Sequence, residues 1–293
     1  MTDHPSRPGS EAAGRPAAPR RRLAVFVTLV VVAVVAWSVL TIDVDAGRLM
    51  DLPARLLTSL RLMFFPPDWA YTGRAVEGMI ESIQIAWIGT IIGAVLSLPL
   101  GFLGAKNVGS GTLASVMRQI LNAIRAIPEL VLAVAVFIPI IGLGAFAGTM
   151  AIGIHSIGTL GKLTAEVVEG IDPGPVEAAR AAGANQLQTM RWGVLPQVLP
   201  DVVAFWLYRF EINIRAAAIL GIVGAGGVGA ILQNTLAFRR WDKAGMTVLV
   251  VILATIAIDY VSSAIRRRII EGADQRVTAA EVFEQPEMVE RGA

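Results

Sequence analysis

The chain has 293 residues, of which 55% are hydrophobic and only 16% charged, and its formal net charge is +2. Soluble domains carry about 25% charged residues, so this composition excludes an ordinary soluble protein and predicts helices that lie in lipid. The sequence has no cysteine, which excludes disulfides, thiolate nucleophiles and cysteine-bound metals. Basic clusters at residues 20–22 and 266–268 each flank an apolar run, which favours membrane-end anchors over nucleic-acid binding.

The N-terminal part contains three segments of different character. Residues 1–22 are rich in Pro, Ala, Gly and Arg and predict a disordered tail. Residues 23–42 form an uncharged run about as long as a bilayer is thick, and predict the first transmembrane helix. No small-residue cleavage site follows, which favours a retained span over a signal peptide. In residues 43–76 leucines recur at spacings of three and four with arginines between them, which predicts an amphipathic helix in the membrane interface.

Residues 77–265 are predicted to form the main membrane domain. Apolar runs at residues 78–103, 120–141, 149–167, 202–223 and 246–265 bring the number of predicted transmembrane helices to six. An even number places both termini on one side, and the basic residues near the span ends favour the cytoplasm. Residues 1–22 and 266–293 are therefore predicted to be cytoplasmic tails of an all-α, polytopic membrane protein.

One long polar segment, residues 169–201, interrupts these spans. Asp172 and Pro173 predict a helix start, and Gly183 predicts the end of an alanine-rich helix. A second short helix is predicted over residues 187–192. Small side chains allow another protein to approach closely, so one interpretation is a docking surface. The alternative is a linker on which Glu177 and Arg180 pair with each other.

The order of residues in this segment resembles the EAA loop of ABC-importer permeases. Glu177, Ala178 and Ala179 are followed at the family's spacing by Gly183 and then by Leu195 and Pro196. Gly193 stands where the family usually has isoleucine. Further segments resemble the phosphonate-type permeases of that family: residues 126–130, 155–162, 195–201, 207–215, 221–229 and 258–263.

The resemblance implies the type I ABC-importer permease fold in a prokaryotic plasma membrane. It also implies that residues 169–201 form coupling helices, which dock into an ATPase subunit that binds ATP and Mg²⁺. This chain would bind no cofactor itself. The other implied partners are an extracytoplasmic solute-binding protein and a second copy of this chain. The function would be ATP-driven import.

Two glycine patterns bear on nucleotide binding. Gly161-Lys162 is followed by Leu163, so it lacks the Ser or Thr of a Walker loop. Gly224, Gly226 and Gly229, with Gly227 between them, fit G-x-G-x-x-G, but an apolar span precedes them where a nucleotide site needs a strand. We expect a close-packed turn on the periplasmic side instead.

Charged residues inside the predicted spans are costly unless they are paired or face water. Arg209, Glu211 and Arg215 lie in the fifth span, and His155 and Lys162 in the fourth. One interpretation is packing through local pairs, Glu211 with Arg215 and Lys162 with Glu166. The other is a wet pathway whose cations attract an anion.

Together with the resemblance, these cations predict a phosphorus oxyanion as substrate, such as phosphonate, phosphite or phosphate. The alternatives are a permease for another small solute such as an amino acid, a channel, or an intramembrane enzyme. The sequence contains neither H-E-x-x-H nor G-x-S-x-G. We therefore expect no catalytic residues and no metal site.

Overall fold

The computed structural model describes residues 21–41, 46–108 and 111–284. Throughout these residues the secondary structure is helical, without a strand. The helices are α1 (Arg21–Thr41), α2 (Ala46–Phe64), α3 (Thr72–Gly104), α4 (Gly111–Ala126), α5 (Glu129–Leu132), α6 (Ile138–Ile141), α7 (Ala145–Glu169), α8 (Pro173–Ala181), α9 (Gln186–Thr189), α10 (Leu195–Ile222), α11 (Gly227–Ala237) and α12 (Trp241–Glu284).

The chain divides into two compact units, residues 1–58 and 59–293. In the first unit, α1 is apolar and exposed from Leu23 to Thr41, as the predicted first span requires. Most of the predicted N-terminal tail, residues 1–20, lies outside the described residues, and so do residues 42–45. The predicted amphipathic helix is α2.

The second unit is built around α7, which packs against α3, α4 and α10. Small residues allow α3 and α7 to lie close together. A Cβ atom on Gly89 would lie 2.8 Å from Ile152 Cγ2, and one on Gly101 would lie 2.6 Å from Thr164 Cβ. Glycine at such positions is typical of helix pairs in membranes.

The third predicted span, residues 120–141, is not one straight helix. α4 already begins at Gly111, and the chain bends by 80° between Ala126 and Glu129. Pro128 lies in the bend with extended backbone (φ −58°, ψ 143°). Proline lacks an N–H group and disfavours helical geometry in the preceding residue, which explains the break. A π-helical segment, Ala133–Phe137, then joins α5 to α6.

Two helices extend beyond the predicted spans. α3 begins at Thr72, before residue 78, and α12 runs from Trp241 to Glu284, well beyond residues 246–265. The polar segment ends at Val194, because α10 begins at Leu195. Pro196 lies at the start of α10, just after the π-helical segment Met190–Val194. Helices extend past their apolar runs because polar residues also favour helix once they are outside lipid.

Four helical stretches of the described chain are long and apolar enough to cross a membrane, or five if the bent pair counts as one span. The remaining predicted span, residues 149–167, forms α7. This helix carries His155, Lys162 and several glycines in its sequence, and much of its surface is buried among other helices. Its low apolarity suits a central helix, and the count of six spans stays a prediction.

Candidate functional site

The connection between α7 and α10, residues 170–194, begins with the helix that the sequence predicts. The Asp172 carboxylate accepts a hydrogen bond from the backbone N–H of Gly174 (2.9 Å) and caps α8. At the other end, the N–H of Gly183 donates to the carbonyl of Arg180 (2.9 Å), and that of Ala184 to the carbonyl of Ala179 (3.0 Å). This pair of bonds is the Schellman arrangement, with Gly183 at φ +80°.

The second helix of the connection is shorter than predicted and merges with α10. α9 covers only Gln186–Thr189, and a π-helical segment, Met190–Val194, continues into α10. Asn185 and Gln188 close a capping box through two 2.9 Å hydrogen bonds. Gly193 is buried, and a Cβ atom there would lie 3.1 Å from Cα of Val176. The glycine therefore allows α8 to pack directly on the π-helical segment that precedes α10.

The outer surface of the connection is strongly exposed. Leu187 and Trp192 are 79% and 69% exposed, and the guanidinium of Arg191 lies 5.4 Å from the centre of the Trp192 ring. The predicted docking residues Glu177, Ala178, Gly183, Leu195 and Pro196 are exposed, and Ala179 is half-buried. Exposed large apolar side chains beside charges are typical of a protein interaction surface.

A polar clamp fixes the start of the connection to α3 and α4. The carboxylate of Glu169, the last residue of α7, forms an ion pair with Arg118 and accepts a 2.7 Å hydrogen bond from the N–H of Lys106. Arg118 Nε donates to the carbonyl of Gly104 at 2.8 Å. Asn107 donates to the carbonyl of Val168 at 2.6 Å. The clamp thus ties the C-terminal end of α7, which leads into α8, to α3 and α4.

The same contacts shift the ionisation of Glu169. Partial burial by itself raises the pKa of this carboxyl group, but the hydrogen bonds and positive charges of Arg118 and Lys106 outweigh burial and lower the pKa below its ordinary value. Glu169 is therefore a carboxylate at neutral pH.

The glycine-rich segment forms a close-packed turn at the other end of α7. Gly224, Gly226 and Gly227 have φ angles of +94°, +78° and +71°. The carbonyl of Gly224 accepts a 2.8 Å hydrogen bond from Gly144, which precedes α7. Gly229 lies in α11, where a Cβ atom would overlap the carbonyl of Ala218. The turn and the α7–α10 connection are separated by the length of α7, roughly 36 Å.

A cavity of about 390 Å³ adjoins this turn between α3 and α11. Its charged lining consists of Arg74, Glu77 and Glu81, and Arg74 pairs with Glu77 at 3.2 Å. Glu77 and Glu81 lie one helical turn apart on α3, so the cavity carries more negative than positive charge.

A polar cluster lies buried where α3, α7 and α10 meet. Arg209 Nε donates to the Ser156 hydroxyl (3.1 Å), and Asn213 Nδ2 donates to Ser156 (3.1 Å) and to Thr90 (2.8 Å). Arg209 is 7% exposed, and its Nη2 has no hydrogen-bond partner among the described residues. A buried guanidinium in this condition favours an anionic neighbour.

The ion pair expected between Glu211 and Arg215 is absent from the described contacts. Arg215 instead donates to both oxygens of Asp259 on α12 (2.9 and 3.1 Å), and Glu211 lies 3.7 Å from Arg266. The tertiary contact with α12 thus replaces the local i, i+4 pair. The expected pair of Lys162 and Glu166 forms, at 3.4 Å.

His155 links α7 to the broken helix. Its Nδ1 lies 2.9 Å from the carbonyl oxygen of Ile127, next to Pro128, and its Nε2 lies 3.4 Å from Glu129 Oε2. Since a carbonyl only accepts, Nδ1 carries the hydrogen. Glu129 begins α5, which also packs against α10, the helix that carries Arg209. The contact of His155 with Glu129 therefore lies beside the helix that carries Arg209.

Sequence reasoning missed four partners in these contacts: Thr90, Asn213, Asp259 and Arg118. Asn213 and Asp259, which lie deep in apolar runs, were usable signals. Thr90 and Arg118 carry no local pattern. Among the described residues, no group of three or more His, Asp or Glu side chains is placed to hold a metal ion.

Residues 97–272 match the family of binding-protein-dependent transport system inner membrane components. The chain belongs to this family, and it is a membrane-bound transport permease rather than an enzyme. It is 36% identical to a phosphite transport system permease protein of Stutzerimonas stutzeri, over 81% of this chain and 85% of that protein.

Two further comparisons agree with this family. A phosphate-import permease protein of Mycolicibacterium smegmatis is 44% identical over 65% of this chain, which corresponds to 36% of that longer protein. The fold is shared with an inward-facing structure of the MetNI methionine ABC transporter. The TM-score is 0.59 at 22% identity, over 66% of this chain and 95% of that one.

Proposed function

We propose that this chain is the permease of an ATP-driven importer for a phosphorus oxyanion, such as phosphite, phosphonate or phosphate. The observation that supports an anionic substrate is Arg209, a buried cation at the junction of α3, α7 and α10 whose Nη2 has no hydrogen-bond partner within the described part of the chain. The choice of phosphorus is supported by the relatives that carry phosphite and phosphate.

The α7–α10 connection is the proposed docking surface for the ATPase. Its exposed Leu187 and Trp192 supply apolar area, and Glu177 and Arg180 supply charge. ATP and Mg²⁺ belong to that partner. Because the Glu169 clamp joins the end of α7, which leads into α8, to α3 and α4, closure of the ATPases would move these helices together.

The proposed orientation places this connection and both termini in the cytoplasm. The glycine turn and the adjoining cavity then face outside, where a solute-binding protein delivers the substrate. A second copy of this chain completes the membrane part. The basic residues of the chain support this orientation, because the arginines at 20–22 and 266–268 adjoin the ends of predicted spans.

The five predicted pathway residues fall into two groups, one proposed to fix helix packing and one proposed to contact the anion. Arg215 and Lys162 each have an acidic partner, and Glu211 faces Arg266. These three residues are proposed to fix helix packing. His155 and Arg209 are proposed to contact the passing anion.

Uptake by proteoliposomes tests the proposal. The permease is reconstituted with its ATPase and binding protein, and uptake of labelled phosphite, phosphate and methionine is measured with and without ATP. We expect ATP-dependent entry of at least one phosphorus oxyanion and no entry of methionine. Entry of methionine alone would reject a phosphorus oxyanion as the substrate, but it would leave the assignment of the chain as a transport permease intact.

A further inference from the structure

Glu129 occupies a distinctive position among the acidic residues of the helix bundle. Asp259 and Glu166 each neutralise one cation, Arg215 and Lys162 respectively. Glu129 instead contacts His155 on α7 at 3.4 Å, and α5, which it begins, also packs against α10, the helix that carries Arg209. The side chains of His155 and Glu129 are 12% and 28% exposed, so both are less deeply buried than Arg209.

The segment that carries Glu129 is weakly held by its own backbone. Glu129 begins a helix of only four residues, between the 80° bend at Pro128 and the π-helical segment Ala133–Phe137. Breaks of both kinds interrupt the regular ladder of helical hydrogen bonds and are frequent at functional sites. A small rotation here moves the Glu129 carboxylate without moving α7 or α10.

The donors around this carboxylate match the needs of an oxyanion. Arg209 Nη2 is buried without a hydrogen-bond partner among the described residues. The Ser156 hydroxyl, which accepts from Arg209, has a hydrogen of its own to donate. Nε2 of His155 lies 3.4 Å from Glu129 Oε2 and donates when the imidazole ring is protonated. A tetrahedral oxyanion has several acceptor oxygens, whereas a carboxylate has two.

We propose that the Glu129 carboxylate is an internal counter-anion at an oxyanion-binding site formed by His155, Ser156 and Arg209, and that it leaves this site when a phosphorus oxyanion binds. The inference rests on the proposed function, because it assumes that an oxyanion passes this point. In the resting protein Glu129 neutralises the site and keeps its affinity low. A low-affinity site lets the transported anion leave again.

Equilibrium binding of labelled phosphite and phosphate tests this proposal. The full-length permease is assembled with its ATPase in nanodiscs, without the binding protein. If Glu129 fills the site about nine-tenths of the time, Glu129→Gln raises oxyanion affinity about tenfold. The matched control is Glu166→Gln, which removes the carboxylate beside Lys162 and leaves the affinity unchanged.

Further variants keep the test decisive. Glu129→Gln combined with Arg209→Gln loses the gain, and if that protein does not assemble, Glu129→Gln combined with His155→Gln replaces it. Unchanged or weaker binding by Glu129→Gln, or a gain that survives in the double variant, overturns the inference. If wild-type proteoliposomes import phosphite or phosphate in that case, the proposed function stands. If neither anion enters, the proposed function fails as well.

Discussion

Gly183 ends α8 in a backbone conformation that residues with a Cβ atom avoid. Its φ is +80°, and no atom lies within 4 Å of an added Cβ, so a substitution meets backbone strain and no clash. Gly183→Ala should destabilise the C-terminal turn of α8 by about 1–2 kcal/mol. Hydrogen exchange of residues 173–184 should become faster.

A second glycine of the same connection supplies the control. Gly170 follows α7 with a φ of −89°, and the nearest atom to an added Cβ lies at 3.6 Å. Gly170→Ala should leave exchange of the segment unchanged. Equal effects of the two substitutions would contradict the assignment of Gly183 as the helix cap.

Glu169 gives a prediction about pH. The pKa of Glu169 is lower in the folded protein than its ordinary value, so the ionised carboxylate stabilises the fold at pH values above the ordinary glutamate pKa. This stabilisation is lost as the pH falls through the lowered pKa. Glu169→Gln should lower the free energy of unfolding by about 1 kcal/mol at neutral pH, because a charged hydrogen bond is lost at a partly exposed site. Thermal unfolding in detergent measures this difference.

The difference between the two proteins should shrink as the solution is acidified past the ordinary glutamate range. A constant difference at every pH would mean that the clamp is not electrostatic. Arg118→Gln provides a second check, since it removes the ion pair from the other side.

Local sequence rules predicted side-chain partners only where the partners are close in sequence. The Lys162–Glu166 pair is one helical turn apart and was predicted correctly. Arg215 and Asp259 are 44 residues apart, and Asn213 and Thr90 are 123 apart. Such partners depend on which helices pack together, and that information is not local.

At the scale of elements, the packing of α4 on α7 depends on one close approach. A Cβ atom on Gly158 would lie 2.8 Å from both Arg125 N and Leu121 O, which are backbone atoms. Because backbone cannot move aside easily, Gly158→Ala should reduce stability by about 1–3 kcal/mol. Thermal unfolding of the purified protein measures this loss.

Gly104 at the end of α3 is the matched control, since an added Cβ there would have no neighbour closer than 3.6 Å. Gly104→Ala should be neutral or slightly stabilising, because alanine favours helix. A loss as large as that of Gly158→Ala would show that glycine content, rather than the α4–α7 approach, determines the effect.

The elements themselves were predicted in part. The start of α8 at Asp172 and its end at Gly183 follow from capping chemistry, which is local. Pro128 and Glu129 interrupt the apolar run of residues 120–141 in the sequence, but the 80° angle of the bend depends on how α5 packs against α7 and α10. The end of α12 was missed because hydropathy marks where lipid ends, and helices continue beyond it.

At the scale of the whole molecule, the proposed orientation can be tested by labelling, because the chain has no cysteine of its own. Ala182 lies in the α7–α10 connection and Asn234 in α11, and both are exposed. Ala182→Cys should react only with a reagent on the cytoplasmic side, and Asn234→Cys only from outside. Labelling of both from the same side would refute the orientation.

The central claim is that ATP hydrolysis on a partner drives oxyanion passage through this chain by way of the α7–α10 connection. The most direct test compares phosphite uptake and ATP hydrolysis in the same proteoliposomes, for wild type and Glu177→Lys. Glu177 is exposed on α8, so the substitution should spare membrane insertion while it disturbs docking. The account predicts ATP-dependent uptake by the wild-type protein. In Glu177→Lys it predicts either that uptake per ATP hydrolysed falls at least about tenfold or that the ATPase no longer binds, because a buried interface charge of the wrong sign costs a few kcal/mol. Unchanged uptake and hydrolysis in Glu177→Lys would contradict it.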